Sequence, residues 1–105
     1  MNQLFDEAGE PWVPPADVYH SREQVVITVE LPGVAEDAVA VEAEGRVLRV
    51  RGQKPAGSPG ERGALQLERS YGPFLREFQL PAGARIGQHR VFCANGVLRI
   101  EIPMG

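Results

Sequence analysis

The side chains capable of chemistry in this sequence are few and scattered. Its two histidines, His20 and His89, lie far apart, with no His-Glu-x-x-His spacing, no Cys/His pair at ligand distance and no calcium-loop aspartates. Metal coordination needs several such groups brought together, so no metal site is predicted. His89 stands just before an alternating apolar run and reads as the polar end of a strand. Ser21, Ser58 and Ser70 fit no Gly-x-Ser-x-Gly elbow, and Ser58 falls in a Gly/Pro-rich stretch that cannot hold a catalytic geometry. That stretch also lacks the order of a phosphate-binding loop and leads into a short apolar pair instead of a helix. The single cysteine, Cys93, excludes an internal disulfide; on the apolar side of its run it reads as a small hydrophobe rather than a nucleophile. Glu30, Glu42, Glu44 and Glu101 fall on outward strand positions, where water denies them the desolvation a catalytic carboxylate needs. No catalytic residue, no cofactor and no enzyme activity is predicted.

The elements around these residues are strands. Val25, Ile27, Val29 and Leu31 share one face against Val26, Thr28 and Glu30, the period-two pattern of a strand with one buried side, and Pro32-Gly33 ends it. Val39, Val41 and Ala43 alternate with Ala40, Glu42 and Glu44; Leu48 and Val50 alternate with Val47, Arg49 and Arg51; Glu44-Gly45-Arg46 between them predicts a tight hairpin. Residues 52–63 contain four Gly and two Pro with no periodicity, which predicts a long flexible loop, functional or disordered. Leu65 and Leu67 form a short apolar pair within residues 52–68. Phe74, Phe78 and Leu80 then line one side of a strand whose same-side partner is Arg76, an arginine in an apolar row. Val91 and Cys93 alternate in the next strand, Asn95-Gly96 is a strong hairpin signal, and Leu98, Ile100 and Ile102 share a face of the last strand. With a weaker segment at Asp17 to His20, this makes seven or eight short strands and no helix. The economical architecture is an all-β antiparallel sandwich, though the same pattern also suits a small barrel.

Composition agrees with one folded domain. The chain has 105 residues, 12 Gly and 9 Pro among them, and a fifth of its positions being such residues is incompatible with a helical bundle. Eleven basic against fourteen acidic residues give a net charge of −3, interspersed, which disfavours a nucleic-acid partner. No stretch is long and apolar enough to span a bilayer, and the acidic start at Met1 to Glu7 is unlike a signal peptide, so a cytoplasmic protein without membrane association is expected. Residues 1–11 carry no period and predict a short flexible arm, with the domain running over residues 12–103.

What remains is apolar surface and sheet edges. A small sandwich leaves edge strands whose unpaired backbone groups can accept another chain. Leu65 and Leu67 would then pair with a partner's edge, and the clefts between sheets would take apolar side chains of extended peptides; equally, the two leucines would simply finish this chain's own core.

Five ordered blocks carry a resemblance. Trp12-Val13-Pro14-Pro15-Ala16-Asp17-Val18-Tyr19, Glu30-Leu31-Pro32-Gly33-Val34, Leu48-Arg49-Val50-Arg51-Gly52, the run from Glu68 to Pro81 and that from Ala94 to Pro103 are similar to the α-crystallin domain of the small heat shock proteins of bacterial type. The resemblance covers about residues 12 to 103. It implies an immunoglobulin-like sandwich and an ATP-independent holdase chaperone that captures partly unfolded client proteins under heat or other stress and suppresses their aggregation. It further implies a homodimer by strand exchange: the strand near Leu65, Leu67 and Glu68 of one copy pairs with the edge strand near Val18 and Tyr19 of the other, and Arg76 supports the dimer region through ion pairs. A groove between the strands carrying Val39 and Val41 and those carrying Val91 and Cys93 would take an Ile-x-Ile segment or a client chain.

The sequence departs from that family at its ends. After Ile102-Pro103 only Met104-Gly105 follow, so the tail with the Ile-x-Ile anchor is expected to be lacking; Ile100-Glu101-Ile102 has the spelling but lies in the last strand. The arm is also short, and a dimer rather than a large assembly is expected. The alternative is an adaptor module like the p23-type co-chaperone domain, which binds one folded partner as a monomer; residues 52–68 argue against it.

Overall fold

In the computed structural model, which describes residues 12–55 and 72–105, seven strands occur among the described residues. They are β1 (Ala16–His20), β2 (Gln24–Glu30), β3 (Val39–Glu44), β4 (Val47–Lys54), β5 (Gly72–Gln79), β6 (Arg90–Ala94) and β7 (Val97–Pro103). They form a four-stranded sheet in the order β1-β2-β7-β6 and a three-stranded sheet in the order β3-β4-β5, every ladder antiparallel. The fold is an all-β sandwich. The predicted arm at residues 1–11 and the pair Leu65 and Leu67 lie outside the described residues.

The core is made by alternation in facing strands. β2 sets Val25, Ile27 and Val29 directly opposite Ile102, Ile100 and Leu98 of β7, and all six are buried. The three-stranded sheet closes over them with Leu48 and Val50 of β4 and Phe74 and Phe78 of β5, joined by Leu31, Leu80 and Ile86. A slip of one residue between β2 and β7 would turn this whole set to solvent, so burial itself fixes the register. The β6–β7 turn is equally determined: Asn95 and Gly96 have φ of 54° and 77°. Two successive positive values are what a two-residue I′ hairpin requires, and Asn and Gly are the residues that tolerate them.

Three features differ from the sequence reading. Two single turns of 3-10 helix, Glu36–Ala38 and Ile86–Gln88, occur where no helix is expected from the sequence. β4 continues to Lys54, three residues into the stretch read as loop. It does so because Gly52 has no side chain where Phe74 and the Ala38 carbonyl press against it, and because Lys54 has something to pack on: its Nζ lies 5.7 Å from the Trp12 ring centroid, and the residue is buried. Finally, Cys93 is exposed, although its place on the apolar side of the strand suggested a buried hydrophobe. It does face inward, opposite Leu98, but β6 is the last strand of its sheet among the described residues and none of its five residues is buried.

Candidate functional site

The chemistry-poor surface leaves the two margins of the four-stranded sheet as candidate sites. At one margin β1 has β2 as its sole strand neighbour among the described residues. Val18 stands opposite Ile27 and so on the core side, while Tyr19 stands opposite Val26 on the outer side. Both are apolar-bodied side chains left open, 52% and 60% exposed. Below Val18 an open cleft of about 510 Å³ separates β1 from β5, lined by His20, Val25, Phe78, Leu80 and Pro81. Val18 therefore occupies a core-facing position that no side chain among the described residues covers fully.

At the other margin β6 faces β3. Val39 and Cys93 line one cavity of about 160 Å³ together with Leu31, Val34, Glu36 and Leu98. Val41 is half-buried against the core and Val91 is 37% exposed opposite Ile100; neither lines that cavity. The structure thus brings Val39 and Cys93 into one hollow and leaves Val41 and Val91 on its flanking strands. Phe92, not singled out in the sequence, is 45% exposed on the outer side of β6, opposite Arg99. Its outward place in the alternation was the available signal.

Cys93 illustrates the local environment. Partial burial against the cavity pushes its thiol pKa up, and the carboxylate of Glu36 adds to the shift. A raised pKa means less thiolate at neutral pH. Iodoacetamide at pH 7 will accordingly alkylate Cys93 more slowly than free cysteine, with the rate climbing as pH rises toward the shifted value; a rate equal to that of the free thiol contradicts this.

Arg76 is held differently from an exposed ion pair. Its guanidinium carbon lies 5.0 Å from the Phe78 ring centroid, and Nη1 donates to the Pro14 carbonyl at 2.9 Å. Among the described residues no carboxylate pairs with it. Other arginines form ion pairs on both sheets: Arg90 and Arg99 pair with Glu101 on the four-stranded sheet, and on the outer face of the three-stranded sheet Arg49 Nε donates to Glu77 at 2.7 Å while Arg51 donates through Nε and Nη2 to the two carboxylate oxygens of Glu42. The hydrogen bond from Arg51 holds the Glu42 carboxyl below its ordinary range. The outer face of the three-stranded sheet is thus largely charged, with Leu75 as an exposed apolar side chain opposite Arg51.

Among the described residues no group of three or more His, Cys, Asp or Glu is placed to hold a metal ion, and no helix is long and apolar enough to cross a membrane. Comparison with known proteins gives a consistent result. The family model described as "Hsp20/alpha crystallin family" matches residues 17–105. The chain is 32% identical over 104 residues to the 18 kDa antigen of Mycobacterium leprae, a match covering 97% of this chain and 68% of that protein. It is 35% identical over 92 residues to the 17.7 kDa class II heat shock protein of Arabidopsis thaliana, covering 85% and 59% respectively. The chain thus spans roughly three-fifths to two-thirds of these relatives' length. Among solved structures it is similar to hspA from Xanthomonas axonopodis, with a TM-score of 0.80, 32% identity and coverage of 90% of this chain and 96% of that one. Heat shock protein 16.0 from Schizosaccharomyces pombe superimposes with a TM-score of 0.82 at 27% identity, covering 89% and 87%.

Proposed function

This chain belongs to the Hsp20/alpha crystallin family of small heat shock chaperones, and from that premise we propose that it is a cytoplasmic, ATP-independent holdase that binds partly unfolded proteins and keeps them from aggregating. The observation that supports this reading is the pair of sheet margins with apolar side chains left open, Val18 and Tyr19 on β1 and Val91, Phe92 and Cys93 on β6. Edge strands with uncovered apolar groups are what an extended, partly unfolded chain can pair with and pack on. Burial of such groups is worth about 25 cal/mol per Å², so each contact is weak and tolerant of sequence, as binding of many clients requires.

In this reading the hollow lined by Val39 and Cys93, with Val41 and Val91 on its flanking strands, takes apolar residues of a client or an Ile-x-Ile segment. The margin at Val18 and Tyr19 takes the segment around Leu65 and Leu67 of a second copy, giving a homodimer. The direct test is heat-induced aggregation of a labile client, followed by light scattering without nucleotide. Suppression at equimolar chain is expected; full aggregation at that ratio overturns the holdase reading. Sedimentation adds the assembly: a clean monomer rejects the homodimer and favours an adaptor that binds one folded partner.

A further inference from the structure

Residues 12–15 cross from one sheet to the other, and each sheet holds them. Trp12 is fixed to β5: its backbone N–H donates to the Pro73 carbonyl at 3.0 Å and its indole Nε1 to the Gly72 carbonyl at 3.2 Å. Its ring meets Phe74 edge-on at 5.6 Å, with the Lys54 ammonium on the ring as well. Pro14 is fully buried, and its carbonyl is the acceptor for Arg76 of the same strand. One residue later the Pro15 carbonyl accepts from the Glu30 N–H of β2, and β1 begins at Ala16.

We propose that Trp12 and Arg76 are positioning residues that act together through this crossover to hold β1 in place for a second copy of the chain. The inference rests on the dimer reading above. β1 needs such support. It is five residues long, pairs with β2 alone among the described residues, and none of its side chains is buried. A strand so weakly packed opens locally at little cost, and a partner would then have to order it on binding. The crossover supplies what the strand lacks: an aromatic contact, a buried proline and three hydrogen bonds onto β5, followed by one onto β2. It also accounts for an arginine in the apolar row of β5. The flat guanidinium lies on Phe78 while one N–H reaches the Pro14 carbonyl, a combination that a lysine ammonium cannot reproduce. Arg76 thereby supports the edge from within its own chain, through the backbone of the segment that leads into β1.

The test uses Trp12→Ala, Arg76→Met and the double variant, with the dimer dissociation constant from sedimentation and amide exchange followed strand by strand. Each single variant is expected to weaken the dimer about tenfold, and the double variant no more than the worse single one, because both break the same crossover. Amides of β1 are expected to exchange faster while those of Ile27 and Ile100 keep their protection; Trp12→Phe, which keeps a ring on Phe74, recovers part of the loss. Unchanged β1 exchange in Trp12→Ala overturns the proposal. So does strict additivity, which would give Arg76 a separate contact, and so does equal acceleration in β2 and β7, which would make Trp12 a support of the whole fold. If the parent chain sediments as a monomer, the dimer reading fails by itself and with it the purpose assigned to the crossover, while the exchange data still report whether Trp12 and Arg76 hold β1.

Discussion

A Gly52→Ala variant will melt about 10 °C below the parent chain, a shift that corresponds to roughly 2 kcal/mol in a domain of this size. Gly52 lies between Val39 of β3 and Phe74 of β5. A methyl group there would stand 2.8 Å from Phe74 Cζ and 3.1 Å from Cε2, and would also run into the Ala38 carbonyl. One of those neighbours is main chain. The other is a buried ring with Trp12 against its edge, so neither yields without displacing something else. Alanine reduces the entropy of the unfolded chain, which offsets the strain by about 0.4–1 kcal/mol and does not cancel it. Calorimetry checks the melting point, and the emission of the chain's one tryptophan checks the mechanism, since a shifted Phe74 ring changes the surroundings of Trp12. An unchanged melting point together with an unchanged spectrum would show that β4 and Phe74 absorb the methyl freely.

Ile100→Ala is expected to cost more, about 2–5 kcal/mol, because it empties space that the rest of the core cannot refill. Ile100 is fully buried in the middle of β7 with Ile27 on one side and Val91 on the other. Both neighbouring backbones are fixed by ladder hydrogen bonds, so collapse into the hole is limited. A domain of this kind has about 5–15 kcal/mol of stability in total, so the loss removes a large share of it. Denaturant titration will show a clearly lower midpoint with a similar slope. Glu42→Ala on the outer face of β3 is the natural contrast: its partner Arg51 is exposed, and pairs of that kind are worth about 1 kcal/mol or less. Equal midpoints for the two variants would contradict the burial pattern described above.

The sequence made the core legible where period two runs through a strand covered on one side. Val25, Ile27 and Val29 could be assigned a common face, as could Leu98, Ile100 and Ile102, and Asn95-Gly96 announced its own turn. That these two triplets lie directly opposite one another is non-local, and no local pattern states it. Alternation also tells which way a side chain points without telling whether anything lies above it. Cys93 points inward as read, yet it is exposed, because β6 ends its sheet among the described residues and the hollow toward β3 stays open. The half-exposed Val18 has the same cause on the opposite margin. Arg76 stood out in the sequence as an anomaly, but its acceptor is 62 positions away in a proline-rich stretch with no period, so the contact itself could not be read. Lys54 was missed for the converse reason: a lysine beside Gly- and Pro-rich sequence reads as solvated loop, and the aromatic ring that shelters it is contributed by Trp12.

That sheltered lysine has a practical consequence for chemistry done on the protein. It is the chain's one lysine, every other basic side chain being arginine, and it is 7% exposed. Among the described residues, succinimidyl esters and enzymatic acyl donors therefore find no freely exposed lysine, and the positive charge there resides in guanidinium groups that such reagents leave intact. Acylation of Lys54 becomes a gauge of how often the corner at Trp12 opens. A mass increment at that position, measured against time and temperature, would count those openings without any engineered label.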